Sequence, residues 1–265
     1  MLELDLVIFY LKSTQSKYYT NQKEKKRMAK KIKWCGYEWL TQERWGNIHA
    51  DKPISWYDPK AVELREGQLI LKTHKNPKKF PKINAHPNIG VGLVSCTEKF
   101  KYGKFEIEAK LPKGPYLWPA FWTWAFESWP PEIDIFEGYT NKNGGYFNWN
   151  IDLLLGNFWK VKTNFHLGEY PDNYDLGAKN HFFTWKKPDD GFNHYMLDWR
   201  PDRIDIFFNK KIVRSIRDTD ILSMFNDTTQ NVIINNAVQN EHDSENPTYS
   251  EFIIKYFKYT PLTIN

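Results

Sequence analysis

Cysteine is nearly missing from this chain: Cys35 and Cys96 are the whole complement in 265 residues. Two thiols so far apart make neither a zinc-ligand spacing nor a disulfide scaffold. The spacing leaves open whether they pair or stay free. Seven histidines are scattered, with no H-E-x-x-H and no clustered Cys/His set, so no metal site is expected. Long apolar runs are missing too. Residues 6–11 are apolar, but Glu3 and Asp5 precede them where a secretory signal wants positive charge, and no small-residue cleavage site follows. No stretch approaches the roughly 18 apolar residues of a membrane span, so no membrane partner is expected. Helical periodicity is scarce as well. Residues 218–225 read as the one short helix, with Asp218 or Thr219 as N-cap. No internal repeat is present.

What the chain does have is aromatic side chains. Trp, Tyr and Phe number 12, 15 and 18 and make up 17% of the sequence. Most will pack a core, but Tyr and Trp join an apolar face to a polar handle, and sugar rings present apolar C–H faces to such groups. The net charge of +5 is a mild basic excess. It suits an anionic polymer without identifying one, and nucleic acid is not expected as a partner. Part of the excess lies in residues 23–33, a Lys/Arg-rich run that closes an arm or linker over 1–33. From Trp34 the pattern changes to short aromatic-rich runs punctuated by Pro, Gly and Asn, which reads as strands and turns. Residues 34–265 suit one all-β domain.

One stretch carries chemistry: Glu132-Ile-Asp-Ile-Phe-Glu137, between Pro130-Pro131 and Gly138. Its apolar members favour a half-buried strand. Alternation puts Glu132 and Asp134 on one face and Ile133 and Ile135 on the other. Glu137 is out of phase in a regular strand. One extra residue at Phe136, a β-bulge, would bring all three carboxyls to one face. Two carboxyls about 5–5.5 Å apart on a concave surface suit retaining glycoside hydrolysis, one as nucleophile and one as acid/base. Crowding such groups pushes their proton affinities apart. The plain alternative is an acidic edge strand facing solvent.

The flanks carry a resemblance. Residues 103–114, then Leu117-Trp-Pro-Ala-Phe-Trp122, then Trp129-Pro-Pro with the acids, resemble glycoside hydrolase family 16, which includes laminarinases, lichenases, agarases, porphyranases and κ-carrageenases. The resemblance runs from about Trp45 to Tyr259. It implies an antiparallel β-sandwich of the jelly-roll type with a concave cleft. It also implies that Glu132 is the nucleophile, Glu137 the acid/base, and Asp134 the support of proton traffic. Trp118, Ala120, Trp122 and Trp124 share one strand face; Trp118, Trp124 and Trp129 are expected to meet sugar. Phe147-Asn148 resembles the strand neighbouring the acids, which makes Asn148 and Asn150, on one face with Tyr146, candidate sugar ligands. Many laminarinases carry a His on that strand, and residues 146–152 have none. Asn235 matches a recurrent Asn of a late cleft strand. Two departures stand out. Leu93-Val94 occupies a place where the family often has Arg. Lys255 stands where many members have an Asp of a convex-side calcium site, and a lysine cannot ligate a hard cation. No cofactor is expected, and calcium at that place is argued against.

These readings lead to an endo-acting retaining hydrolase, a monomer working on polysaccharide outside the cell. A β-1,3- or mixed-linkage glucan is the first expectation. A galactan such as agar, porphyran or carrageenan is the second, and a non-catalytic carbohydrate-binding sandwich the third. A transglycosylase would differ only in excluding water from the second step.

Overall fold

The computed structural model describes residues 30–42, 55–75, 89–125, 127, 129–146, 159–169, 172–182, 187–243 and 246–263. In chain order the strands are β1 (Lys31–Trp34), β2 (Tyr37–Leu40), β3 (Ser55–Tyr57), β4 (Val62–Arg65), β5 (Gln68–Lys75), β6 (Ile89–Val91), β7 (Leu93–Cys96), β8 (Gly103–Lys110) and β9 (Leu117–Trp124). They continue as β10 (Glu132–Glu137), β11 (Lys160–Leu167), β12 (Tyr174–Asp175), β13 (Lys179–Phe182), β14 (Asn193–Arg200), β15 (Arg203–Phe208), β16 (Lys211–Ile216), β17 (Asn231–Val238) and β18 (Ser250–Pro261).

Two sheets stack face to face. The first runs β1-β2-β7-β17-β9-β10-β11-β12, with β13 also on β11; the second runs β16-β15-β14-β8-β18-β5-β6-β3, with β4 on β5. Pairing is antiparallel except between β3 and β6. This is the expected jelly-roll sandwich. Its logic is visible in β8, where Phe105, Ile107 and Ala109 are fully buried while Lys104, Glu106, Glu108 and Lys110 are half-exposed. The interior takes one face from each sheet: Phe105 and Ile107 from β8, Tyr195 and Trp199 from β14, Phe252 from β18, against Phe121, Ile133 and Phe165 from β9, β10 and β11.

Turn chemistry sets the hairpins. Glu66-Gly67 joins β4 to β5 with both residues at positive φ, and Asn209-Lys210 does the same between β15 and β16. The short helix α1 (Thr219–Asn226) is capped by Asp218, whose Oδ1 accepts from the amides of Asp220 and Ile221 at 3.0 and 3.1 Å. Its Leu222 and Phe225 rest on the core.

The chain differs from its sequence reading at the N-terminal side. Lys31-Ile-Lys33 are not part of an arm: they begin β1, which pairs with β2 and so joins the first sheet. Basic composition hid a strand whose Trp34 is buried. Residues 1–29 and 43–54 lie outside the described residues.

Gly92 marks the place where the chain leaves one sheet for the other. Its amide donates to Lys72 O on β5, and its carbonyl accepts from Asn236 on β17, both at 2.8 Å. A Cβ there would lie 2.6 Å from Ala61 O and 2.9 Å from Leu71 Cα, atoms of backbone that cannot rotate away. We expect Gly92→Ala to cost about 1–3 kcal/mol, read as a lower urea midpoint at unchanged slope.

Candidate active site

The acids stand on β10, flanked by β9 and β11. Asp134 pairs with Trp122 of β9, but the next β9 residue, Phe121, faces Phe136, so Ile135 is the extra residue. Against β11, Asp134 pairs with Asn164 and Glu137 with Lys162. The bulge is therefore present one residue earlier than Phe136. Ile133, Ile135 and Phe136 are all fully buried in the core, and Glu132, Asp134 and Glu137 all face the other way, onto the floor of a groove of about 520 Å³.

Each acid has its own surroundings. Trp129 Nε1 donates to Glu132 Oε2 at 2.7 Å. Glu137 Oε1 accepts twice, from Trp118 Nε1 at 2.9 Å and from Tyr139 Oη at 2.6 Å. Asp134 sits between them with its side chain 5% exposed, and His166 Nε2 lies 3.2 Å from its Oδ2 and 3.7 Å from Glu132 Oε1. Burial raises the proton affinity of Glu132 well above a usual glutamate, and the charge of Asp134 adds to it; His166 and the Trp129 indole oppose. Asp134 is raised well above a usual aspartate, first by burial and then by the charge of Glu137. The floor thus holds at least one proton more readily than free carboxyls would. Burial and the neighbouring Glu137 also keep the Tyr139 hydroxyl in its donating form.

The walls are aromatic. The row Trp118, Ala120, Trp122 and Trp124 faces the groove, which alternation alone could not decide. Trp118 stacks on Tyr139 with centroids 5.4 Å apart and planes at 22°. Trp122 Nε1 donates to Asn235 Oδ1 at 2.7 Å, and Trp124 packs on Trp122 with little surface of its own left open. Trp118, Trp124, Trp129 and Asn235 therefore all line the groove with the three acids. Asn148 and Asn150 lie outside the described residues. Tyr146, expected on their face, is buried in the core with its hydroxyl donating to Pro112 O at 2.8 Å. Leu93, at the place of the family's Arg, is buried too.

The strand beside the acids is β11, in a stretch that reads as loop-rich from sequence. Its Lys162, Asn164 and His166 line the groove while Val161, Thr163, Phe165 and Leu167 are buried on the other side. His166 is the histidine that lines the groove beside the acids. Strict alternation across 160–167 was the signal that could have found it. Asp175, on the two-residue β12, also reaches the groove.

Glu132, Asp134 and His166 offer one ligand atom each within 4.8 Å, the set among the described residues with a geometry open to a cation. On the convex side the residues do not fit calcium. Lys255 Nζ lies 2.6 Å from Glu108 Oε1, so a side-chain cation already neutralises the carboxylate there.

Among known proteins, the chain is 26% identical over 180 residues to a glucan endo-1,3-beta-glucosidase A1 of Niallia circulans, covering 63% of this chain and 24% of that protein. It is 34% identical over 121 residues to a beta-1,3-glucan-binding protein of Penaeus monodon, covering 41% of this chain and 29% of that one. It therefore spans less than a third of the length of these relatives. In fold it is similar to the laminarinase catalytic domain of Thermotoga maritima MSB8, with a TM-score of 0.65 at 18% identity over 85% of this chain and 92% of that one. Residues 50–256, most of the sandwich and the whole described groove floor among them, match the profile of glycosyl hydrolases family 16, and the chain belongs to that family.

Proposed function

We propose that this chain is a retaining endo-glycoside hydrolase that cleaves internal β-linkages of a β-1,3- or mixed-linkage glucan. The observation that carries the reading is the bulged β10, which turns Glu132, Asp134 and Glu137 onto one face beneath a tryptophan-lined groove. The relatives named for β-1,3-glucan support the substrate class. Glu132 attacks the anomeric carbon while Glu137 donates a proton to the leaving oxygen. Water then enters with Glu137 as base and releases the sugar with its configuration retained. The two hydrogen bonds on Glu137 Oε1 leave Oε2 to carry that proton. One proton held between Asp134 and Glu132 relieves the repulsion of the pair, and the Trp129 indole donates to Glu132 as it attacks. The reaction draws on no cofactor. We take the enzyme to act outside the cell, as a monomer, with neither nucleic acid nor membrane as partner; among the described residues no helix is long and apolar enough to cross a membrane.

The test is reducing-sugar release from laminarin, lichenan, agarose, porphyran and κ-carrageenan. Wild type should act on laminarin or lichenan. Glu132→Ala should lose at least about 10⁴-fold in kcat, and Glu137→Gln about 10²- to 10⁴-fold. Binding without turnover by wild type would leave a carbohydrate-binding sandwich instead.

The galactan alternative is not favoured by the relatives, but one side chain offers a test of it. Lys162 projects into the groove opposite Glu137, with Nζ 4.6 Å from the Tyr139 ring centroid, where it could meet a sulfate group. If the substrate is sulfated, Lys162→Met should cost roughly 10- to 100-fold in kcat/KM on it, the worth of one charge-assisted contact. Neutral glucan should be hydrolysed much as before.

The raised carboxyls also set a pH dependence of stability. A folded acid with raised affinity binds more protons than its unfolded form, so stability falls as pH climbs from about 4, the ordinary carboxylate range, through the folded value. Asp134→Asn removes one such group. Its urea midpoint should exceed that of wild type at about pH 8, with the advantage gone near about pH 4.

A further inference from the structure

β11 has an acid opposite the same residue on both sides. In the ladder His166 pairs with Glu132 of β10 and with Asp175 of β12. Side chains directly across a ladder share a face and meet. His166 Nδ1 is accordingly 2.5 Å from Asp175 Oδ1, while its Nε2 points at Asp134 Oδ2 and Glu132 Oε1. The first contact is an ion-pair approach that puts the Asp175 carboxylate within reach of a proton on Nδ1. The imidazole has no freedom to flip without breaking it.

We propose that Asp175 is a positioning residue for the reaction centre: it holds the proton of His166 on Nδ1 and thereby fixes Nε2 against Asp134 and Glu132. The inference rests on reading Glu132, Asp134 and Glu137 as the reacting acids. A histidine with a carboxylate on one nitrogen presents the other in a defined tautomer and orientation. Here the presented nitrogen faces the two carboxyls between which a proton must be apportioned. The charges that face His166 are Asp175 from β12 and Glu132 and Asp134 from β10, and the Trp129 ring lies 6.4 Å away. Asp175 is also felt at Asp134, where its charge helps to raise the proton affinity. Asp175 is itself half-exposed on an edge strand of two residues, so replacing it should leave the fold intact.

Two measurements test this. The first is ¹⁵N NMR of the His166 ring in the substrate-free protein. Nδ1 should carry the proton in wild type and lose it in Asp175→Ala; the same Nδ1 signal in both overturns the proposal. The second is a kinetic double-mutant cycle. Asp175→Ala should lower kcat roughly 10- to 100-fold, with KM within about twofold, and should cost nothing further in a His166→Ala background. Additive losses, or a loss carried by KM, would mean that Asp175 meets substrate directly and would overturn it. Asp175→Asn, which keeps volume and an acceptor oxygen without the charge, should fall between wild type and Asp175→Ala. A wild type inactive on every glycan would count against the reaction centre itself, and the NMR result would still decide the proton on Nδ1.

Discussion

A strand can turn three acids to one side and three apolar residues to the other only by breaking its own period. In β10 the break falls at Ile135. Two consecutive side chains, Ile135 and Phe136, go into the core, and Glu137 emerges on the groove side with Glu132 and Asp134. A strict alternation would drive the Glu137 carboxylate into the space between Phe121, Tyr195 and Phe252, where Phe136 now packs. An unpaired charge in such a place is far more costly than a bulge. The apolar packing of Phe136 and the chemistry of Glu137 are therefore one constraint, and the registers of β9 and β11 follow from it.

The floor that results is electrostatically uncomfortable, and the sandwich offsets it from both sides. In the groove, indole and phenol hydrogens from Trp118, Trp129 and Tyr139 aim at the carboxylates. From the interior, Arg214 of β16 reaches under β11, donating to Thr163 O at 2.8 Å with its guanidinium 4.7 Å from the centre of the Phe165 ring. Burial pulls Arg214 down to about 10, with attraction to Asp134 acting against that. It remains a cation at neutral pH, and its charge favours the ionised form of Asp134. An edge strand of the second sheet thus helps to hold acids on the far face of the first.

The legible parts of this molecule are those with a period. Alternation in β8 and β9, turn residues at Glu66-Gly67, and the cap at Asp218 all appear in the sequence as they do in space. So does the need for a bulge, because three acids and three apolar residues in six positions admit few solutions. His166 was missed because Gly156, Gly168 and Pro171 around it suggested loop, although Val161, Thr163, Phe165 and Leu167 alternate within. Lys31 to Lys33 were missed because charge masked a short edge strand. Asp175 and Arg214 had no local signal at all. A two-residue strand has no period, and an arginine that points inward from an edge strand is defined by what packs over it.

The excess of tryptophan has a physical reason beyond packing. Phenylalanine would supply an equally flat face for a sugar ring, but it has no hydrogen to give. Trp118 and Trp129 use theirs on Glu137 and Glu132, and Trp122 uses its own on Asn235. Each ring is thereby fixed in plane and orientation by the group it serves, and each of those groups is in turn oriented by a ring too large to change rotamer inside the wall. On the proposed function, tryptophan is the one side chain that offers an apolar face to a sugar and holds a carboxylate still within the same few ångströms. On that reading the groove needs no separate set of residues for recognition and for chemistry. The same indoles that would bracket the polymer also set which carboxylate oxygen is free to react.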